Sequence, residues 1–114
     1  MISADQQELI GSYSDDAYAR LVAALERIPR DRWQTRASPN EWTAHEIIVH
    51  LCDSEANSYV RIRKAIAEPG GAVAAFDEQC WQQALDYYDT DVDAALQLFR
   101  LLRRQTHRLL ASLP

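Results

Sequence analysis

Lysine is nearly missing from this chain. Lys64 is the only one among 12 basic residues, and 17 acidic residues set the formal net charge at −5. A nucleic-acid partner is therefore not expected, because phosphate binding needs a basic face. The one basic group, Arg100, Arg103, Arg104 and Arg108, reads as a solvated helix face, favoured near a helix C-terminus by the macrodipole. Cysteine is scarce too. Cys52 and Cys80 are far apart and have no CxxC spacing, which excludes a disulfide framework and points to two buried free thiols in a reducing cytosol. No apolar run approaches the roughly 18 residues of a membrane span. The opening Met1-Ile2-Ser3-Ala4-Asp5 has neither the basic nor the apolar region of a signal peptide. A cytoplasmic protein without a membrane partner is expected. No Gly-rich phosphate loop, GxSxG elbow or HExxH occurs. Repeats, low-complexity segments and strand-like alternation are absent as well.

Helical periodicity fills the chain instead. Its 114 residues fit one domain, and 47% hydrophobic residues supply a core. A short helix opens at Ser3, where Gln6 completes the form of a capping box, and Gly11 ends it. A second runs from about Asp15 to Ile28 with Tyr18, Leu21, Val22, Leu25 and Ile28 on one side, and Pro29 stops it. Residues 30–41 form a loop. Thr43-Ala44-His45-Glu46 is the strongest start signal, a capping box with Thr43 as N-cap and Glu46 at N3. That helix should run to about Ala67, with Ile47, Ile48, Leu51, Glu55, Tyr59, Ile62 and Ile66 as its inner stripe. Pro69-Gly70-Gly71 breaks it. Phe76–Tyr88 reads as a short helix capped by Asp77. The last helix runs from about Thr90 to Leu113, with Val92, Ala95, Phe99, Leu102, Leu109 and Leu113 inward. Leu98, Leu101 and Leu110 widen its stripe beyond what one neighbour covers. The fold class is all-α: a bundle of three long helices plus short connecting ones.

Few residues could carry chemistry. His50 lies at the edge of the apolar stripe, near Ser54 and Asn57. It reads either as a half-buried histidine bonded to a neighbour or as a ligand turned into a bundle cavity. One histidine makes no metal site, since zinc-like catalytic sites use about three protein ligands. His45 is five residues away, points elsewhere, and reads as an exposed first-turn residue. His107 reads as solvated among the arginines. Glu55 on the apolar stripe is costly unless it pairs with an arginine, caps a backbone group, or faces a metal or its water. Trp33, Trp42 and Trp81 read as anchors of loops onto the core.

The run Ser38-Pro39-Asn40-Glu41-Trp42-Thr43, followed by His50-Leu51-Cys52-Asp53-Ser54-Glu55, resembles the "pG-x-W-S … H-L-x-D-x-E" signature of the DinB-like (damage-inducible) four-helix-bundle family. Arg61-Ile62-Arg63, Phe76-Asp77 with Trp81, and the closing Leu109–Pro114 agree with it, so the resemblance spans about residues 10 to 114. It implies a divalent metal, zinc or nickel, held by three histidines. His50 matches one of them. The other two form an H-x-x-x-H pair on a fourth long helix, and this chain contains neither the pair nor that helix. The metal is accordingly expected to be weak or absent in a single chain. The resemblance further implies metal-dependent hydrolysis or S-transfer involving a small-molecule thiol. The alternative is a non-catalytic bundle, or a shortened chain, completed by self-association as a homodimer.

Overall fold

The computed structural model describes Ala4, residues 15–72 and residues 75–114. The expected helix at Ser3–Ile10 and its stop at Gly11 lie outside the described residues, Ala4 excepted. Four α-helices are present among the described residues: α1 (Asp15–Glu26), α2 (Ala44–Ala67), α3 (Glu78–Ala84) and α4 (Val92–Ala111), with a 3-10 turn at Arg30–Arg32. Among the described residues there is no strand. The expectation of a bundle lacking its fourth helix is corrected, because the described residues already form four helices, the seven-residue α3 among them.

The starts of α2, α3 and α4 are each capped by a side chain. The Thr43 hydroxyl accepts from the Glu46 N–H (3.1 Å) while Glu46 Oε1 accepts from the Thr43 N–H (3.0 Å), the reciprocal box anticipated from sequence. Asp77 accepts from the N–H groups of Gln79 and Cys80, and Asp91 does the same for Asp93 and Ala94. The Phe76–Tyr88 segment is helical only over 78–84, since Asp86 takes a left-handed conformation at φ 52° and turns the chain toward α4.

Helices α2 and α4 form the spine of the bundle. Their contacts rise together in number: His45 with Thr90, Glu55 with Arg103, Arg63 with Thr106. The two helices are therefore parallel, and residues 68–91 carry the chain back between them. Helix α1 runs the other way, with Tyr18 beneath Arg100 and the following turn tied by Arg30 to Asp93 at 2.8 and 3.0 Å. The core consists of Leu25, Trp33, Ile48, Val49, Cys52, Tyr87, Val92, Ala95 and Phe99.

The inner face of α2 is rotated from the stripe read in the sequence. Ile48 is buried, but Ile47 and Ile66 are exposed, and the buried line is His45, Ile48, Val49, Cys52 and Glu55. The periodicity was ambiguous because apolar residues fall on both flanks of this helix, and the neighbour α4 decides which flank is covered. On α4, Val92, Ala95 and Phe99 are inward as expected, but Thr106 is fully buried, and Leu113 lies beyond the helix end and is exposed.

Candidate functional site

The first turns of α2 gather most of the polar chemistry. Glu46 is a carboxylate with 1% exposure. It serves the capping box, pairs with Arg36 at 2.9 Å, and accepts a hydrogen bond from the Gln82 amide of α3. Burial pushes its carboxyl up, but the hydrogen bonds from Thr43 and Gln82 and the Arg36 charge outweigh that and leave it below the ordinary range. His45 is buried, not exposed as expected, and its Nε2 lies 2.6 Å from the Thr90 carbonyl oxygen. The first turn of α2 packs under the start of α4, which no local sequence signal reveals.

His50 lies one turn further along. It is partly buried and boxed by aromatic rings: Trp42 edge-on at 5.4 Å and Phe76 at 6.4 Å. Its Nε2 is 3.8 Å from Glu78 Oε1, while Nδ1 is buried with no hydrogen-bond partner. Asp53, on the same side of α2, accepts a 2.6 Å hydrogen bond from the hydroxyl of the buried Tyr87, whose ring also meets Trp42. Burial and the Asp53 carboxylate push the Tyr87 phenol well above its ordinary value, so it stays a proton donor. Phe76 continues the aromatic line to Trp81 at 4.8 Å.

Glu55 turns away from His50 toward α4. Its Oε2 accepts from Arg103 Nε at 3.1 Å, the arginine pairing that was one expectation, while Oε1 is buried and unpartnered. Burial raises its pKa more than the Arg103 charge and hydrogen bond lower it. The thiols divide. Cys52 is buried, and burial with the nearby Asp53 and Glu55 charges pushes it up to about 11. Cys80 is exposed, against expectation, and its hydrogen bond to Asp77 raises it. No residue of the short α3 is buried, and Cys80 is among its exposed ones. Neither thiol is poised as a thiolate. His107 is half-buried rather than solvated. Trp33, Trp42 and Trp81 all pack on the core, as anchors should.

The sequence singled out His50 but not its surroundings. Glu78, Phe76 and Tyr87 come from the 76–91 connection, 26 or more positions away, and only the return path of that connection brings them to α2. Among the described residues, no three of histidine, cysteine, aspartate and glutamate gather so as to hold a metal ion. One imidazole and one exposed carboxylate do not by themselves fit a resident divalent metal. Nor is any helix among the described residues long and apolar enough to cross a membrane.

A bundle with two parallel long helices, a returning connection between them and a half-buried histidine on the second helix belongs to the four-helix-bundle class. More narrowly, the chain belongs to the DinB superfamily, whose family model matches residues 14–114. It is 28% identical over 112 residues to "Putative metal-dependent hydrolase YfiT" of Bacillus subtilis, covering 98% of this chain and 63% of that protein. A protein of the same description from Bacillus licheniformis is 30% identical over 115 residues, covering 98% and 65%. The solved structure of Bacillus subtilis YfiT, described as a probable metal-dependent hydrolase with an unusual four-helix bundle topology, superposes with a TM-score of 0.84 at 27% identity. It covers all of this chain and 65% of that one. This chain thus spans somewhat under two thirds of the length of these relatives.

Proposed function

We propose that this chain carries one donor, His50, of a hydrolytic metal centre of the kind its relatives are named for, the remaining donors coming from outside the described residues. The observation that carries this reading is the His50 imidazole itself, with a buried Nδ1 that nothing satisfies. A buried polar atom left unpaired costs about 1–3 kcal/mol and calls for a partner. The aromatic box of Trp42 and Phe76 would exclude water beside it. Hydrolysis is the reading taken because it is the activity the relatives are named for; an S-transfer would need a thiol supplied as a substrate, since both of the chain's own thiols are raised away from the thiolate form.

The test is metal titration of the 114-residue protein with zinc and nickel, read by atomic emission after gel filtration and by the His50 ring signals in NMR. Weak binding that broadens the His50 signals, and that His50→Ala weakens about tenfold or more, is the expected result. Metal bound equally well by His50→Ala would overturn the reading.

A second reading, a bundle completed by a second copy, is favoured by one observation. Leu98 and Leu101, neighbours on one flank of α4, are 49% and 53% exposed. Exposed apolar stripes of this kind mark interfaces, and a two-fold dimer is the commonest closure. Sedimentation at micromolar concentration should then give a dimer that Leu98→Glu/Leu101→Glu converts to a monomer; a monomeric parent protein would remove this reading.

A further inference from the structure

Beside the aromatic line that leads away from His50 lies a groove of about 770 Å³ along the second half of α2. It is within the ordinary size of a small-molecule site. Its walls are apolar where they meet Trp81, Ala56 and the half-exposed Val60. Arg61 and Lys64, one turn apart on α2, also line it, and neither forms an ion pair among the described residues. Lys64 is the one lysine in the chain. Glu68 is the one carboxylate in the lining. Two cations against one carboxylate leave the lining with a single net positive charge, in a protein whose net charge is −5.

Position sets the length of what fits. Along a helix rising about 1.5 Å per residue, Arg61 lies roughly 16 Å beyond His50. Phe76 lies 6.4 Å from the His50 ring and 4.8 Å from Trp81, and Trp81 in turn lines the groove. The geometry points to a groove that binds an amphipathic monoanion, an extended medium-chain or arylalkyl carboxylate. Its acid group lies on Arg61 and Lys64, and its apolar body runs over Val60 and Trp81 toward His50. The guanidinium fork and the ammonium group both suit a carboxylate. The single net charge suits a monoanion better than a phosphate dianion. Calling this ligand the substrate rests on the reading of His50 given above. Its binding does not.

The experiment is calorimetric titration of the metal-free 114-residue protein with octanoate, octyl phosphate and 1-octanol. Octanoate should saturate with a dissociation constant of about 1 mM or tighter, and the other two should bind about tenfold more weakly. Arg61→Gln/Lys64→Gln should weaken octanoate about tenfold and leave 1-octanol unchanged. Val60→Glu, an exposed position that the fold does not need, should abolish octanoate binding. The inference is overturned if octanoate fails to saturate, if 1-octanol or octyl phosphate binds as well, or if either variant binds like the parent. His50→Ala separates the two readings. It should keep octanoate binding whatever it does to metal, so a lost metal response with kept octanoate supports both, and a kept metal response with kept octanoate sinks only the hydrolase reading. Loss of octanoate in a folded His50→Ala protein, checked by circular dichroism, would sink the groove assignment.

Discussion

Glu46→Ala should be the most damaging single change in this protein, lowering stability by about 3–5 kcal/mol, the scale of breaking a buried ion pair from one side. Three partners lose their acceptor at once: the Thr43 N–H, the Gln82 amide and the Arg36 guanidinium. The capping box alone accounts for about 1 kcal/mol. The remainder comes from leaving donors unpaired in a place with 1% exposure. Glu46→Gln keeps the shape and should lose less, since its amide still offers one acceptor. The pH dependence follows from the lowered carboxyl. A carboxylate whose pKa is lower folded than unfolded stabilises above its unfolded value and loses that contribution as pH falls through the folded one. Urea unfolding of the parent protein should therefore show stability falling below about pH 4.5, with Glu46→Gln flatter there. An alanine variant as stable as the parent would show that the network adds nothing.

Arg103→Ala should cost nearly as much at neutral pH, again about 3–5 kcal/mol, because it strands Glu55 as a 5% exposed carboxylate. Here the sign runs the other way. Burial raises the Glu55 pKa even with Arg103 in place, so its contribution is fullest below the unfolded value and is lost as pH rises through the folded one. Without Arg103 the carboxyl rises further. The cost of Arg103→Ala should therefore shrink as pH falls toward 4 and the acid takes a proton, by roughly half or more. Adding Glu55→Gln to Arg103→Ala should recover much of the loss at pH 7, because a neutral amide needs no counter-charge. A loss independent of pH, or no recovery in the double variant, would show that Arg103 acts through its packing on Phe99, 5.1 Å away, and not through its charge.

Local chemistry made several parts of this structure legible in advance. The capping box at Thr43 and Glu46, the Asp77 cap and the break after Ala67 depend on residues within a few positions of one another, and each is present as read. The DinB motif from Trp42 to Glu55 was likewise contiguous, and it led to the right superfamily. What the tertiary structure alone decided was which side of each helix meets a neighbour. Helix α2 has apolar residues on two flanks, and only the parallel docking of α4 shows that Ile48, Cys52 and Glu55 face in while Ile47 and Ile66 do not. The same docking buries His45 under Thr90. The 68–91 connection brings Glu78, Phe76 and Tyr87 to His50 and Asp53, and sets Trp81 over the Arg61 and Lys64 groove. These contacts join residues 17 or more apart along the chain. No periodicity or cap encodes them, because they depend on the path of the chain between helices and not on the helices themselves.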